Sequence, residues 1–188
     1  MNAVLDAIAA RYSCRSFTAE PVSRADLEAI TRAGVCAPSS RGHAPWRLVV
    51  VTDAALIQDI NDSALRLLAR HEPGVPERFP IGKLTLFYNA PVVIIVATHH
   101  TWDYTGEQLD AGLLVENMTL AATSLGLGSL ICGFATQAFR DLKSDDPARL
   151  IRRLGIPEGY EMAVSMAAGH VDQPRVPHTP DLSVVSYI

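Results

Sequence analysis

Residues 91–98 (PVVIIVAT) restrict the fold more than any other segment of the chain. Residues 91–97 are all apolar and residues 92–96 are all β-branched, a composition typical of strands. Because successive side chains of a strand point to opposite faces, such a run is buried on both sides of its sheet. The run is also too short to cross a bilayer. The sequence therefore predicts a central strand that other elements cover on both faces.

Helical and strand patterns alternate along the rest of the chain. Helices are expected at residues 2–10, 23–36, 53–71, 107–125 and 146–154, and further strands at residues 47–52, 129–132 and 162–168. The predicted helix caps are Ser23, Asp53 and Asp146. The helix at 107–125 is apolar nearly all round, which indicates burial or a subunit interface. Residues 72–82 are expected to form a covering loop and the last 18 residues an extended tail. The alternation predicts one α/β domain over residues 1–188.

Charge and cysteine content narrow the classes of partner and compartment. The chain carries 16 Lys and Arg against 20 Asp and Glu, a formal net charge of −4, which argues against nucleic acid as a partner. Its first residues have no basic segment ahead of an apolar stretch, so a secretory signal is not expected. The three cysteines, Cys14, Cys36 and Cys132, show no CxxC spacing. These features predict a cytoplasmic protein without a disulfide scaffold, a zinc site or a membrane partner.

Several common catalytic motifs fail on their spacing. Leu84 stands where a phosphate-binding loop needs a hydroxyl after Lys83, and the Gly-Leu-Gly at 126–128 follows a helix where a dinucleotide motif follows a strand. His99 and His100, with Asp103 nearby, are neighbours on a strand and point to opposite faces, so no metal site is predicted. Cys132 lies among apolar residues, which favours a small buried residue over a nucleophile.

Three segments remain as candidate binding elements. Arg11, Ser13 and Arg15 alternate, so an extended backbone places two guanidiniums and a hydroxyl on one face, which suits an anion; a solvated charged strand is the alternative. Residues 37–47 hold small, turn-forming residues that suit a planar ligand. Residues 126–133 (GLGSLICG) are rich in glycine, which permits close approach of a backbone to a ligand.

The order of these segments resembles the FMN-dependent nitroreductase family. The matching motifs span almost the whole chain: RYSCRSF at 11–17, APSSRGHAPW at 37–46, NAP at 89–91, Asp110 with Glu116-Asn117, GLGSLICGF at 126–134, LGIPEGYE at 154–161, and Gly169-His170 followed by PRVP at 174–177. The resemblance implies a three-layer α/β/α fold with a central mixed sheet and an intertwined homodimer. It also implies an FMN oxidoreductase that uses NAD(P)H to reduce nitro-type or other electron-poor acceptors by a ping-pong cycle.

The resemblance further implies roles for individual residues. Arg11, Ser13 and Arg175 would hold the FMN phosphate and ribityl chain, and Arg15 would lie near the pyrimidine end of the ring. Backbone amides around Ile131, Cys132 and Gly133 would approach flavin N5 and O4. Ser39 and Ser40 would come from the other subunit. Further cofactor contacts are assigned to Tyr12, Pro38 and, at the ring edge, Lys83. No side chain is assigned a catalytic role, because the chemistry resides on the cofactor.

Departures from the family pattern leave alternatives open. Gly42 and Ala44 replace an Asn and a Gln that usually lie near the flavin, and Gln173 stands where a lysine often helps to hold the phosphate. One alternative is a specialised branch that performs dehalogenation or flavin fragmentation. Another is a protein that stores or senses FMN without turnover.

Overall fold

A four-stranded sheet in the order β1-β2-β4-β3 forms the middle layer of the computed structural model, which describes residues 2–72, 74–99, 106–141 and 143–188. The strands are β1 (Trp46–Val51), β2 (Val92–His99), β3 (Gly128–Cys132) and β4 (Tyr160–Gly169). Every residue of β2 except His99 is buried, which confirms the predicted central strand.

The strands pair antiparallel throughout. The parallel character implied by the family resemblance is confined, in the described residues, to an isolated bridge between Ser13 and Ser129. The expected mixed sheet is therefore a nearly pure antiparallel one. The N-terminal segment meets β3 at this bridge without extending into a full strand.

Helices cover both faces of the sheet. On one face lie α3 (Ala54–His71), α6 (Asp146–Leu154) and a 3-10 segment (Phe134–Phe139), and on the other lie α2 (Arg24–Val35) and α5 (Glu107–Ser124). β2 divides its side chains between the two cores. Val93, Ile95 and Ala97 pack on the α3 face, and Val92, Ile94 and Val96 pack on the α5 face. The three-layer prediction is confirmed.

The predicted helix caps hold in two cases and fail in one. The Ser23 and Asp53 side chains accept backbone N–H bonds at the starts of α2 and α3. At α6 the N-cap is Asp145, and Asp146 is the first helical residue. The Asp146 carboxylate accepts hydrogen bonds from Arg66, Arg149 and Ser63. The prediction that Asp146 caps this helix was therefore wrong.

Short elements complete the chain. Helix α1 (Ala3–Ala10) is capped by the Asn2 side chain, and α4 (Val75–Arg78) occupies the middle of the expected 72–82 loop. The C-terminal tail is largely exposed. Its backbone is extended except for a 3-10 turn at Leu182–Val184. Within the described residues, no helix combines the length and the apolar character needed to span a bilayer.

Candidate active site

The N-terminal segment 13–17 is bound between the edge of β3 and the chain that follows β4. The Cys14 N–H donates to the Ser129 carbonyl at 2.8 Å, and the Asp172 N–H donates to the Ser16 carbonyl at 3.1 Å. Gly128 permits this approach, since a Cβ there would lie 2.8 Å from the Cys14 sulfur. The segment therefore holds Arg15 beside the end of β3.

The outer edge of β3 turns backbone N–H groups outward next to Arg15. The Ser129 carbonyl points away from β4, because it accepts from Cys14, and alternate residues of a strand face the same edge. Ile131 therefore turns its N–H outward. The Cys132 carbonyl accepts from the Ser165 hydroxyl of β4 at 2.9 Å, so the Gly133 N–H, on the opposite side of that trans peptide, also points outward. Two backbone donors line this edge.

A cavity of about 370 Å³ opens beside these donors. It brings together four of the predicted residues, Arg15, Ile131, Cys132 and Gly133. Its other walls are the aromatic rings of Phe79, Tyr88 and Phe134 and the side chains of Leu86 and Leu130. The volume lies in the usual range for small-molecule sites. An apolar, aromatic cavity with one guanidinium and two backbone donors suits a planar ring that carries partial negative charge.

Asn61 holds one wall of this cavity in place. It is fully buried in α3; its Nδ2 donates to the Lys83 carbonyl at 2.9 Å, and its Oδ1 accepts from the Leu86 N–H at 3.0 Å. Asn61, Tyr88 and Phe134 were not predicted as part of the site, whereas Phe79 lies in the 72–82 segment that was expected to form a covering loop. A polar residue among the apolar positions of helix 53–71 was the available signal for Asn61, whereas the rings come from three separate segments.

A second cavity, of about 490 Å³, adjoins the first. The two share Phe79 and Tyr88 in their walls. Lys83 lines this second cavity, with Arg78 and several uncharged polar side chains. The predicted Lys83 is thus brought next to the first cavity without being part of its lining.

The predicted phosphate ligands Arg11 and Arg175, and the predicted cofactor contact Tyr12, lie near segment 13–17, which itself contains the third predicted phosphate ligand, Ser13. The Arg11 guanidinium lies 3.6 Å from the Glu116 carboxylate of α5. Burial raises the pKa of the Cys14 thiol, and the charge of the nearby Arg175 acts against that rise. Tyr12 lines a small cavity of about 170 Å³ beside Gly128. Arg175 itself is exposed on the C-terminal tail.

The segment with Pro38, Ser39 and Ser40 lies against α5 and not beside the first cavity. The Ser40 N–H donates to the Asp110 carboxylate of α5 at 3.2 Å, and Ala37 just before it belongs to the core on the α5 face. The first cavity opens from the α3 face, to which Leu86 and Leu130 belong. A single chain therefore does not bring these serines to the cavity.

The substituted positions 42 and 44 both have left-handed backbones. Gly42 has φ +71° and Ala44 has φ +45°. Glycine adopts this conformation without strain, and Asn tolerates it better than most residues, so Gly42 keeps the loop geometry while losing the amide. Ala44 carries strain that its N–H bond to the Ser39 hydroxyl, 2.8 Å long, helps to offset.

The remaining candidate groups show no reactive arrangement. Burial raises the pKa of the Cys132 thiol, whose sulfur faces the Leu86 carbonyl at 3.7 Å, in keeping with a buried structural cysteine. His99 packs edge-on against Tyr160, while His100 and Asp103 lie outside the described residues. Among the residues that the structure describes, no three His, Cys, Asp or Glu side chains are grouped to hold a metal ion.

Comparison with known proteins places this chain among relatives named as nitroreductases and flavin reductases. The profile of the Nitroreductase family matches residues 8–170. A crystal structure of a nitroreductase with bound FMN from Desulfitobacterium hafniense superposes with a TM-score of 0.90 at 37% identity, covering 100% of this chain and 99% of that one. The NADPH-flavin oxidoreductase of Vibrio harveyi is 28% identical over 94% of this chain and 71% of its own, and the FMN reductase [NAD(P)H] of Bacillus subtilis is 26% identical over the same shares. The chain belongs to the nitroreductase family.

Proposed function

We propose that the chain binds FMN in the first cavity and uses NAD(P)H to reduce small electron-poor acceptors. The observation that carries this proposal is that Arg15 lines an aromatic cavity beside the outward N–H groups of Ile131 and Gly133. These groups fit a flavin ring. When bound, FMN supplies the two-electron chemistry, accepting a hydride from NAD(P)H and passing it to the acceptor.

The chain's own residues bind and orient the ring. Arg15 would hold the pyrimidine end of the ring through its positive charge, and the two backbone N–H groups would donate hydrogen bonds to the ring edge. Arg11, Ser13 and Arg175 would hold the phosphate. To bind the phosphate, Arg11 would give up its contact with Glu116. This ion pair, at 3.6 Å and partly exposed, contributes little to stability.

No side chain of the described cavity lining is a His, Asp or Glu. The protein's part is therefore to position the reactants and to exclude water with the rings of Phe79, Tyr88 and Phe134. A ping-pong cycle follows, because donor and acceptor would occupy the same space beside the bound FMN in turn.

The proposal includes a homodimer in which Pro38, Ser39 and Ser40 of one chain complete the site of the other. Large apolar side chains exposed on α1, α5 and the tail support it, among them Val4, Leu5, Leu109, Leu182 and Tyr187, exposed by 62–95%. Such a density of exposed apolar side chains is typical of a surface that a partner covers. The three free cysteines, two of them buried, favour the proposed cytoplasmic location.

The test is an anaerobic visible spectrum of the purified chain with FMN, before and after NADH or NADPH is added. We expect a bound flavin spectrum that bleaches with at least one nucleotide, and steady oxidation of that nucleotide when a nitroaromatic acceptor is present. A bound flavin that stays oxidised would instead support a storage or sensing protein. Failure to bind FMN would overturn the proposal.

Substituting Arg15 makes the test specific to the site. Arg15→Met should weaken FMN binding about tenfold, because one charge-assisted contact is lost. Arg152→Met removes an exposed guanidinium on α6 and serves as the matched control, with FMN affinity unchanged. Fluorescence quenching of FMN measures both affinities, and equal affinity in Arg15→Met and the unsubstituted protein would contradict the assigned site.

A further inference from the structure

The two adjoining cavities differ sharply in chemistry. The first has a single charged residue, Arg15, in an apolar and aromatic lining. The described lining of the second contains two cations, Arg78 and Lys83, and no carboxylate. Its uncharged polar side chains add donors and acceptors: Gln58, Thr85 and Asn89. A lining of this kind suits an anionic group, whereas the first cavity suits the planar body of a ligand.

The two cavities lie side by side, with two aromatic residues in the lining of both. Phe79 and Tyr88 line both, so a molecule whose ring lies against these rings can reach into the second cavity with a substituent. The Arg78 guanidinium lies over the Phe79 ring, 5.4 Å from its centroid. This cation–π contact holds the charge of Arg78 at the boundary between the two cavities.

The second cavity is formed by a segment fixed to the body of the protein. Asp62 Oδ1 accepts from the Gly82 N–H at 3.1 Å, and from Gln58 and Asn61 of its own helix at 2.8 and 2.9 Å. The Asn89 N–H donates to the Leu84 carbonyl at 3.0 Å. The backbone between α4 and β2 is therefore held in position before any ligand arrives.

The nearby acidic residues Asp62 and Glu77 form no ion pair with these two cations in the described residues. The Asp62 oxygen nearest the segment is engaged by three N–H donors, and Glu77 is the immediate helical neighbour of Arg78, a spacing at which two side chains do not face each other. In the described part of the chain, neither Arg78 nor Lys83 has an ion-pair partner within 4.0 Å.

We propose that the second cavity is a subsite for a carboxylate or phosphate group of a substrate that binds beside the FMN proposed for the first cavity. This rests on the proposed function and names a substrate class for it: acidic molecules are favoured over neutral ones of the same shape. The anion is either a substituent of the acceptor or a phosphate of the nicotinamide donor. Arg78 is the specificity-determining residue.

Paired acceptors test the subsite. The FMN-loaded full chain is assayed with 4-nitrobenzoate and with 4-nitrobenzamide, which differ in charge and hardly in size. For an acceptor anion, we expect a KM about tenfold lower for the acid, and Arg78→Met to remove that preference while kcat and the KM of the amide stay within twofold. Arg78→Lys should keep most of the preference, and Arg152→Met, remote from both cavities in sequence and exposed on α6, should keep all of it.

The donor arm identifies the other source of the anion. If Arg78→Met raises the KM of NADPH or NADH about tenfold and leaves both acceptors unchanged, the subsite holds a donor phosphate. Equal KM values for acid and amide, with no effect of Arg78→Met on the donor, would overturn the proposal. The proposal would also be overturned if Arg78→Met raised the KM of the acid and the KM of the amide by the same factor.

Direct binding separates this proposal from the proposed function. Calorimetric titration of the chain with the same acid and amide needs no turnover. Tighter binding of the acid that Arg78→Met abolishes would support the subsite even if NAD(P)H is not oxidised. If turnover of the amide is normal, the titration shows no preference for the acid and Arg78→Met leaves the KM of the donor unchanged, the proposed function stands and the subsite does not.

Discussion

At the scale of single residues, Gly126 and Gly128 show what a local pattern can and cannot predict. The Gly-Leu-Gly after helix 107–125 predicts a left-handed turn, and Gly126 has φ +75° as expected. Gly128 is required for a different reason. A Cβ there would lie 2.8 Å from both the Cys14 sulfur and a methyl carbon of Val171, contacts that come from distant parts of the chain. Sequence spacing could not reveal them.

Gly128→Ala should therefore destabilise the protein by about 1–3 kcal/mol, because the added methyl overpacks the contact between segment 13–17 and β3. It should also weaken FMN binding, since Arg15 lies on the displaced segment. The matched control is Gly74→Ala, at a position with φ −82° and no atom within 4 Å of the added methyl, which should change stability by less than about 0.5 kcal/mol. Urea unfolding measures both; equal midpoints would contradict the packing argument.

At the scale of elements, helix boundaries follow from local sequence, while the contacts between helices do not. Ser23 and Asp53 were predictable caps because their partners lie two or three residues away. The partners of Asp146 lie as far away as α3, where Arg66 and Ser63 bind its carboxylate. Hydrogen bonds from Arg66 and Arg149 lower the pKa of Asp146 to about 2. The α3–α6 contact thus has an acid-sensitive component that no cap rule predicts.

This predicts a pH dependence for the α3–α6 contact. A carboxylate whose pKa is lowered in the folded state adds stability above its unfolded pKa of about 3.9 and loses it as the pH falls toward 2. Asp146→Asn should cost about 1–2 kcal/mol at pH 7, discounted for partial exposure, and this difference should shrink to near zero by pH 2. Urea unfolding at several pH values measures it.

Glu28→Gln is the control for that measurement, because it removes the exposed Arg24–Glu28 pair within α2. We expect a change below about 0.5 kcal/mol at every pH. A difference between Asp146→Asn and the unsubstituted protein that stayed constant from pH 7 to pH 2 would show that the Asp146 charge does not stabilise the contact.

At the scale of the whole molecule, the layers were predictable and the walls of the site were not. A strand that is apolar on both faces requires cover on both sides, and α3 and α5 supply it. Of the two arginines that the alternation in segment 11–15 singled out, Arg15 lines the first cavity. The aromatic walls come from α4's end, the turn before β2 and the residue after Gly133, and no periodicity links Phe79, Tyr88 and Phe134.

The tail gives a test of the proposed dimer at this scale. The tail exposes four large side chains by 75–95%: Val176, Leu182, Val184 and Tyr187. Burying a large apolar side chain is favourable by about 1.5–3 kcal/mol relative to leaving it in water. Deleting residues 176–188 should therefore convert a dimer into a monomer at micromolar concentration. Sedimentation velocity measures the change. His178→Ala, a polar substitution in the same exposed tail, should leave the dimer intact.

In the proposed dimer, flavin binding should follow association, because the segment with Pro38, Ser39 and Ser40 lies on the α5 side of its own chain, away from that chain's own cavity. FMN affinity of the tail deletion should fall at concentrations where it is monomeric and recover where it associates. Arg175 remains in this deletion, so the loss reports on the partner and not on the phosphate ligand. A full-length chain that is monomeric and binds FMN tightly would show that one chain holds the whole site.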